Sequence, residues 1–251
     1  MQALPRVWRI NRRHPDAGGC VVALPLVERG GTSPRDAVSK FAPGWTAAGG
    51  FLPSQWGTIH GGSALGTLTA DDGLIHNTAF NYGSGFEAMT IMVRVKKEVS
   101  TAAASQTIVC CSNVGIIDRL QQFGYVNDNL SVFAVAGPTG VVGQHYTLGL
   151  RVRPGVANPH LFVDGERFTV TVTPSAFSAT ALGIGNTASV VQTFQGKIRD
   201  VRIWNRWMPD AAFERYYRNP LAFYQVARGA TGPSFGVPGN FFPFLHPSLT
   251  S

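Results

Sequence analysis

The sequence predicts an all-β protein, a sandwich or a barrel of short antiparallel strands. Short apolar or alternating segments follow one another along most of the chain and are separated by turn residues. Gly (29) and Pro (16) are abundant and only 14% of the residues are charged, which suits strands joined by turns. The clearest signal is the hairpin "LFVDGERFTV" (161–170), because Asp164-Gly165 between two strand-like segments favours a type I′ turn.

The predicted strands follow in order from residue 20. The segment "CVVAL" (20–24) is the first, and residues 31–62 are expected to form a long packed loop with one or two short strands. The later segments alternate more regularly. They are 64–69, 74–77, 88–99, 106–113, 120–128, 129–137, 145–154, 161–172, 181–186 and 196–206. The broken alternation of Ile198, Val201 and Ile203 also predicts a β-bulge near Arg199 and Asp200.

One helix is predicted in "MPDAAFERYYRNP" (208–220). Pro209 suits a first helical turn, and acidic residues come early and arginines late, as the helix dipole favours. Phe213, Tyr216 and Tyr217 are expected to face the sheet. Asn219-Pro220 ends the helix, because the residue before a proline is biased away from helical geometry.

The two ends of the chain differ from the middle. Residues 1–19 form a basic arm, and residues 223–251 form a tail rich in Pro, Gly and Phe without strand or helix periodicity. An apolar tail needs a surface that buries it, and we predict that both ends dock on a partner subunit. The alternative is that both ends fold back onto their own sandwich, residues 20–222. The predicted docking residues are Arg6, Arg9, Arg12, Arg13, Phe241, Phe242, Phe244 and Leu245.

A family resemblance is carried by "LFVDGERF" (161–168), "LGIGN" (182–186), "FQGKIRDVRIWNRWM" (194–208) and "YYRNP" (216–220). In this order the segments resemble the laminin-G-like, concanavalin A-like jelly-roll superfamily, in its stand-alone form common among phage proteins. The resemblance covers residues 14–222. It implies a two-sheet antiparallel jelly-roll sandwich with one short C-terminal helix and extended terminal arms.

Charge distribution, cysteine content and the lack of targeting patterns limit the kinds of partner and the cellular compartment that we expect for this protein. The net charge is +7, but the basic residues after Arg13 are scattered and no basic run is flanked by aromatics, which argues against nucleic-acid binding. Cys20, Cys110 and Cys111 lack metal-ligand spacing, and the adjacent pair would bridge only in a strained ring. No segment has the pattern of a signal peptide or a membrane span. We therefore expect assembly in a reducing cytoplasm without membrane contact.

Catalysis is not predicted. Glycoside hydrolysis, the chemistry most common on the fold that the resemblance implies, needs two carboxylates flanking the bond, and no predicted strand carries a close acidic pair. The six histidines are dispersed, without HxxxH or HExxH spacing. Asp71, Asp72, Asn127 and Asp128 lie in turns that present oxygens suited to Ca²⁺, but ordinary Asx turns explain them better. No cofactor is predicted.

The first functional prediction is a non-enzymatic structural protein of a tailed-phage virion, displayed on the capsid or tail as a decoration, fibre or adsorption component. It rests on the resemblance and the low charge, and it implies other virion subunits as partners and a homo-oligomer. The alternative is a lectin-like module that recognises a bacterial surface glycan. Exposed aromatics would contact that sugar, and the candidates are Trp45, Trp56, Tyr82 and Tyr125.

Overall fold

The fold is taken from a computed structural model. It describes residues 8–26, 37–38, 45–48, 56–59, 62–67, 73–80, 86–100, 105–111, 114–127, 132–177, 180–186 and 193–226. For residues 45–48, 56–59, 62–67, 73–80, 127, 132, 180–181 and 226 the description is of the backbone.

The described residues form strands β1 (Trp8–Ile10), β2 (Cys20–Leu24), β3 (Trp45–Ala48), β4 (Trp56–Ile59), β5 (Gly62–Thr67), β6 (Gly73–Phe80), β7 (Met89–Lys97), β8 (Ser105–Cys111), β9 (Val114–Arg119), β10 (Gln122–Asn127), β11 (Val132–Thr139), β12 (His145–Val152), β13 (His160–Val163), β14 (Glu166–Thr169), β15 (Thr180–Ile184), β16 (Gly196–Trp204) and β17 (Tyr224–Val226). Helix α1 (Asp210–Arg218) and a 3₁₀ helix, Pro220–Phe223, lie between β16 and β17. No helix in this described part is long and apolar enough to cross a membrane.

Two antiparallel sheets face each other and form a β-sandwich. The seven-stranded sheet has the spatial order β11-β10-β9-β8-β15-β6-β3. The eight-stranded sheet has the order β14-β13-β12-β7-β16-β5-β4, and β2 pairs with the last residues of β16. The ladders between these strands are antiparallel. The all-β sandwich predicted from the sequence is confirmed.

Two local predictions are also confirmed. Strands β13 and β14 pair directly, and Asp164 (φ 51°) and Gly165 (φ 89°) between them are both left-handed, as a type I′ turn requires. The register of β16 against β7 shifts between Arg199 and Arg202, and Asp200 in the shift has φ 58°. The bulge changes which side chains of β16 face outward.

The main core lies between the two sheets. In β7, Ile91, Val93 and Val95 are fully buried in this core, and the alternating Arg94 and Lys96 therefore lie on the outer face of the sheet. Lys97 points inward again and pairs with Asp118 of β9 at 2.6 Å, with both side chains fully buried. This ion pair joins the two sheets inside the sandwich.

Helix α1 packs on the outer face of the eight-stranded sheet through a second apolar cluster. Phe213 stacks on Phe162 of β13, with ring centroids 3.7 Å apart and planes 6° from parallel. The stack lies directly over Gly149 of β12, where an added Cβ would collide with the Phe213 ring. Phe213 and Tyr216 are buried as predicted. The prediction for Tyr217 is wrong, because its position on the helix leaves it 42% exposed.

The described parts of the two ends pair with each other. Strand β1 is antiparallel to β17, and the Asn11 amide donates to the Phe223 carbonyl at 2.8 Å. The Trp204 indole donates to the Asp16 carbonyl at 2.7 Å. Residues 8–19 and 223–226 are therefore part of the folded unit, as the fold-back alternative expects, and the predicted boundaries at 19 and 223 cut through it. Arg6 and the tail from residue 227, with its predicted anchors, lie outside the described residues.

Candidate functional site

Residues directly opposite each other in an antiparallel ladder point to the same face of a sheet. On the outer face of the eight-stranded sheet, these residues form two halves that follow one another along the strands. The helix-covered half lies under α1 and contains Thr90, Met92, Gly149, Arg151, His160, Phe162, Arg202 and Trp204. The basic half continues the same strands beyond α1 and contains Arg94, Lys96, His145, Thr147, Lys197 and Arg199.

An aromatic cluster lies beside the first turn of α1, and we call it the Trp207 patch. Its members are Arg153, His160, Arg167, Trp207 and Asp210. The half-buried Trp207 ring has the Arg151 guanidinium over it at 4.7 Å and the exposed Arg153 guanidinium at 5.6 Å. His160 meets the same ring edge to face, with centroids 5.4 Å apart. Packing against these groups fixes the indole in place.

Arg151 organises the patch from below. Its side chain is only 4% exposed, and its Nη1 donates to the Met208 carbonyl at 2.8 Å. The same nitrogen lies 2.6 Å from Asp210 Oδ1. Burial lowers the pKa of Arg151, and Asp210 opposes that shift. The buried guanidinium therefore ties β12 to the segment that carries Trp207.

The neutral form of His160 fits this arrangement. Arg151 Nε donates to His160 Nδ1 at 3.0 Å, and a guanidinium has no acceptor, so the imidazole proton lies on Nε2. Burial lowers the pKa of His160, Arg151 and Arg167 lower it further, and Asp210 raises it. His160 therefore adds an uncharged N–H donor to the patch at neutral pH.

The rim of the patch is polar and open to solvent. Asp210 Oδ2 accepts from Arg167 Nη1 at 2.9 Å, and the two side chains are each 52% exposed. Asp210 also lies in the first turn of α1, where a carboxylate suits the helix dipole. A fixed aromatic ring bordered by accessible donors and acceptors is an arrangement suited to a sugar ring, which has apolar C–H faces and polar hydroxyl edges.

A buried ion pair holds α1 and the chain after it on the sheet. Arg202 donates to both carboxylate oxygens of Asp200, at 2.9 and 2.6 Å. Tyr216 donates to the Asp200 carbonyl at 2.6 Å, and Tyr224 donates to its carboxylate. Burial and Asp200 raise the pKa of both tyrosines well above the usual range, so both hydroxyls remain donors. These contacts explain how the helix is positioned, and we assign them no role in binding.

A shallow cleft of about 280 Å³ lies near the other end of α1, lined by His14, Glu214, Arg215, Arg218 and Asn219 among others. Its polar groups pair with each other or with neighbours: Arg218 with Glu214, and Arg215 with Asp16. No Trp, Tyr or Phe ring lines it, so among the described surfaces the Trp207 patch is better suited to a sugar ring. Within the described ranges, no three His, Cys, Asp or Glu side chains are grouped to hold a metal.

The structure places the predicted site residues in different surroundings. Tyr125 is fully buried between the sheets, so its prediction as a glycan contact is wrong: the ring fills the core. Trp45 and Trp56 lie in β3 and β4, for which only the backbone is described, and Tyr82 lies outside the described residues. Arg9, Arg12 and Arg13 are exposed. Of the calcium candidates only the Asn127 backbone is described.

Sequence reasoning missed Trp207 and the residues around it. The sequence patterns place "RWMP" in the family resemblance and at the helix start, and no pattern joins the outward-facing side chains of β12 to β14 into one surface. A usable signal was present, since Arg151 and Arg153 lie at alternate positions of the predicted strand 145–154, His160 directly precedes the predicted hairpin and Arg167 lies in its second strand. The strand register that brings them beside Trp207 was not visible in the sequence.

No protein-family model and no curated protein sequence matches the chain. Several solved structures share its fold. Domain 4 of the arabinanase AbnA from Geobacillus stearothermophilus, solved with arabinotriose, is 16% identical with a TM-score of 0.57; the match covers 78% of this chain and 96% of that domain. The sialidase of Trypanosoma rangeli is 11% identical with a TM-score of 0.55, over 79% of this chain and 32% of the sialidase.

A third match is the binding domain of botulinum neurotoxin DC, solved with rat synaptotagmin II. It is 14% identical with a TM-score of 0.56, and the match covers 80% of this chain and 51% of that domain. The chain thus spans about a third of the sialidase and about half of the toxin domain. At these identities the comparisons establish the shared β-sandwich fold.

Proposed function

We propose that the chain is a non-enzymatic, lectin-like carbohydrate-binding module and that its ligand contacts the Trp207 patch. The observation that carries the proposal is the half-buried Trp207 ring, fixed by Arg151 and His160 and bordered by the exposed pair Arg167–Asp210. The AbnA domain, solved in complex with arabinotriose, supports a sugar ligand on a related fold. The proposal follows the alternative that the sequence left open.

Glycan binding by matched variants tests this proposal. The wild-type chain and Trp207→Ala are screened on an array of bacterial and plant oligosaccharides, and hits are measured by calorimetry. We expect Trp207→Ala to weaken binding by about 1–3 kcal/mol, about 5- to 150-fold, because an aromatic platform is lost. Binding by no glycan on the array, or equal binding by the variant, contradicts the proposal.

Phe133→Ala is the matched control. Phe133 of β11 is also half-buried with an arginine over its ring, Arg119 at 4.4 Å, but it belongs to the seven-stranded sheet. Its loss removes the same kind of aromatic–arginine contact from the other side of the sandwich. We expect Phe133→Ala to bind glycans like the wild type, and equal losses in both variants would indicate a general effect of destabilisation.

The virion assignment, the homo-oligomer and the phage-type form remain predictions from the sequence. They are compatible with the proposed function, because a displayed subunit is able to recognise a surface glycan. Quantitative mass spectrometry of particles from the source virus tests them: many copies per capsid protein favour a decoration protein, few copies favour a tail component, and complete absence contradicts a virion role.

A further inference from the structure

We infer that the basic half of the sheet face binds an acidic polysaccharide, so that the glycan recognised by this chain carries carboxylate or sulfate groups. This inference rests on the proposed function and names its ligand class. The observation is a ladder of cations on two neighbouring strands. Arg94 and Lys96 of β7 lie directly opposite Arg199 and Lys197 of β16.

The strand register sets the spacing of these charges. Directly opposite residues lie about 5 Å apart across the ladder, and alternate residues along one strand lie about 7 Å apart. The four cationic side chains therefore originate from a compact rectangle on a pleated surface. His145 and Thr147 of β12 extend the same two rows on the next strand.

The rectangle has more positive than negative charge. Glu98 lies 3.5 Å from Lys96 and 3.2 Å from Lys197, so one carboxylate is shared by two ammonium groups. Asp164 is the other acid near Arg94, and its Oδ1 accepts from the Thr147 amide at 2.7 Å. Asp200, beyond Arg199, is bound by Arg202. Arg199 is buried, with 9% exposure, so the accessible cations among the described residues are Arg94, Lys96 and Lys197. These three cations face the two acids Glu98 and Asp164.

The charged ends of the lysines reach solvent. Lys96 and Lys197 are 28% and 23% exposed, which fits packed stems and accessible ammonium groups. Burial lowers the pKa of His145, and the nearby Lys96, Arg94 and Lys197 lower it further. The basic half is therefore a place where a ligand anion replaces repulsion between like charges with attraction.

An acidic polysaccharide fits this surface better than a nucleic acid does. The described members of the basic half include no Trp, Tyr or Phe side chain for base stacking, and a flat sheet face does not enter a DNA groove as a helix or β-ribbon does. A polymer with an anion on successive sugars matches cations repeated along a strand. The Trp207 patch lies on the same face of the sheet, so one polysaccharide molecule is able to contact the basic half and the Trp207 patch together.

Binding of defined polymers to the full chain tests the inference. The probes are heparin, polygalacturonate, neutral dextran and arabinan, polyglutamate and duplex DNA. We expect heparin and polygalacturonate to bind with an affinity that falls as salt is raised. Lys96→Gln/Lys197→Gln should weaken this binding about tenfold or more, and Lys96→Arg/Lys197→Arg should retain it.

Arg12→Gln/Arg13→Gln is the matched control, because it removes two exposed charges from elsewhere on the chain. An equal loss in this control would show that only net charge matters and would overturn the inference. Equally tight binding of polyglutamate or DNA would also overturn it. If neutral glycans bind through Trp207 but acidic ones bind no better, the inference fails and the proposed function stands. If no glycan of either kind binds, the proposed function itself fails.

Discussion

The helix-covered half and the basic half of the outer sheet face contain similar cationic residues, but these residues have different roles. In the first, Arg151 and Arg202 each have a carboxylate partner, a backbone carbonyl and aromatic rings around them. In the second, Arg94 has no carboxylate within salt-bridge distance among the described residues, and two lysines share Glu98. An arginine that is fully partnered inside a fold stabilises it, whereas accessible cations in excess over acids attract a ligand.

The largest expected effect comes from breaking the buried Asp200–Arg202 pair. Arg202→Met leaves Asp200 buried without its cation and removes the contacts to Tyr216 and Tyr224, so we expect a loss of about 3–5 kcal/mol in the free energy of unfolding. Chemical denaturation measures it. Arg218→Met is the control, because Arg218 is 74% exposed in an i,i+4 pair with Glu214 and should cost about 0.5 kcal/mol. Equal losses of unfolding free energy in the two variants would contradict a larger stabilising role for the buried pair than for the exposed one.

The next effect tests how closely α1 sits on the sheet. Gly149→Val places side-chain atoms where the Phe213 ring lies, so the helix must shift, at a cost of about 1–3 kcal/mol. Thermal denaturation gives the loss of stability. Gly18→Val is the control, because Gly18 has no left-handed φ and an added Cβ would meet only the Arg206 side chain, at an ordinary contact distance of 3.8 Å. A Gly149→Val protein as stable as the wild type would contradict the packing of Phe213.

Lys96→Gln/Lys197→Gln in the basic half should affect binding and not stability, in contrast to Arg202→Met in the helix-covered half. Both lysines are partly exposed at the surface, so we expect the free energy of unfolding to change by less than about 1 kcal/mol while acidic-polymer binding falls. Denaturation and calorimetry on one protein preparation separate the two effects. A large loss of stability would show that Lys96 and Lys197 stabilise the fold, as Arg151 and Arg202 do, and would contradict a binding role for the basic half.

The smallest expected effect is the pH dependence of stability. Burial lowers the folded-state pKa of His14, His145 and His160 below the ordinary value of 6.5. The unfolded chain then binds more protons below pH 6.5, so stability is full above that pH and falls as the pH drops through the folded-state pKa values. Melting curves between neutral and mildly acidic pH measure this. For His160→Gln we expect a smaller fall on acidification, and an unchanged fall would contradict the assigned role of His160.

The sequence was sufficient for the fold class and for much of the local structure. Asp164-Gly165, the bulge at Asp200 and the helix after Met208 follow from short-range backbone preferences, which act between neighbours in the chain. The exposure of Tyr217 and the burial of Tyr125 were not predicted. The first depends on which of the adjacent residues Tyr216 and Tyr217 faces the sheet, and the second on which face of β10 points into the core. The Trp207 patch depends on the register of β12, β13 and β14 and on the docking of α1, and no local pattern encodes those.

Mapping an oligosaccharide onto the molecule by NMR tests the central claim most directly. Uniformly ¹⁵N-labelled full chain is titrated with an acidic oligosaccharide from heparin and, separately, with arabinotriose as a neutral probe. We expect the resonances of the Trp207 indole N–H and of the amides of Arg94, Lys96 and Lys197 to shift with the acidic probe. Shifts confined to β9, β10 and β11 of the other sheet, or no shifts with either probe, would contradict it.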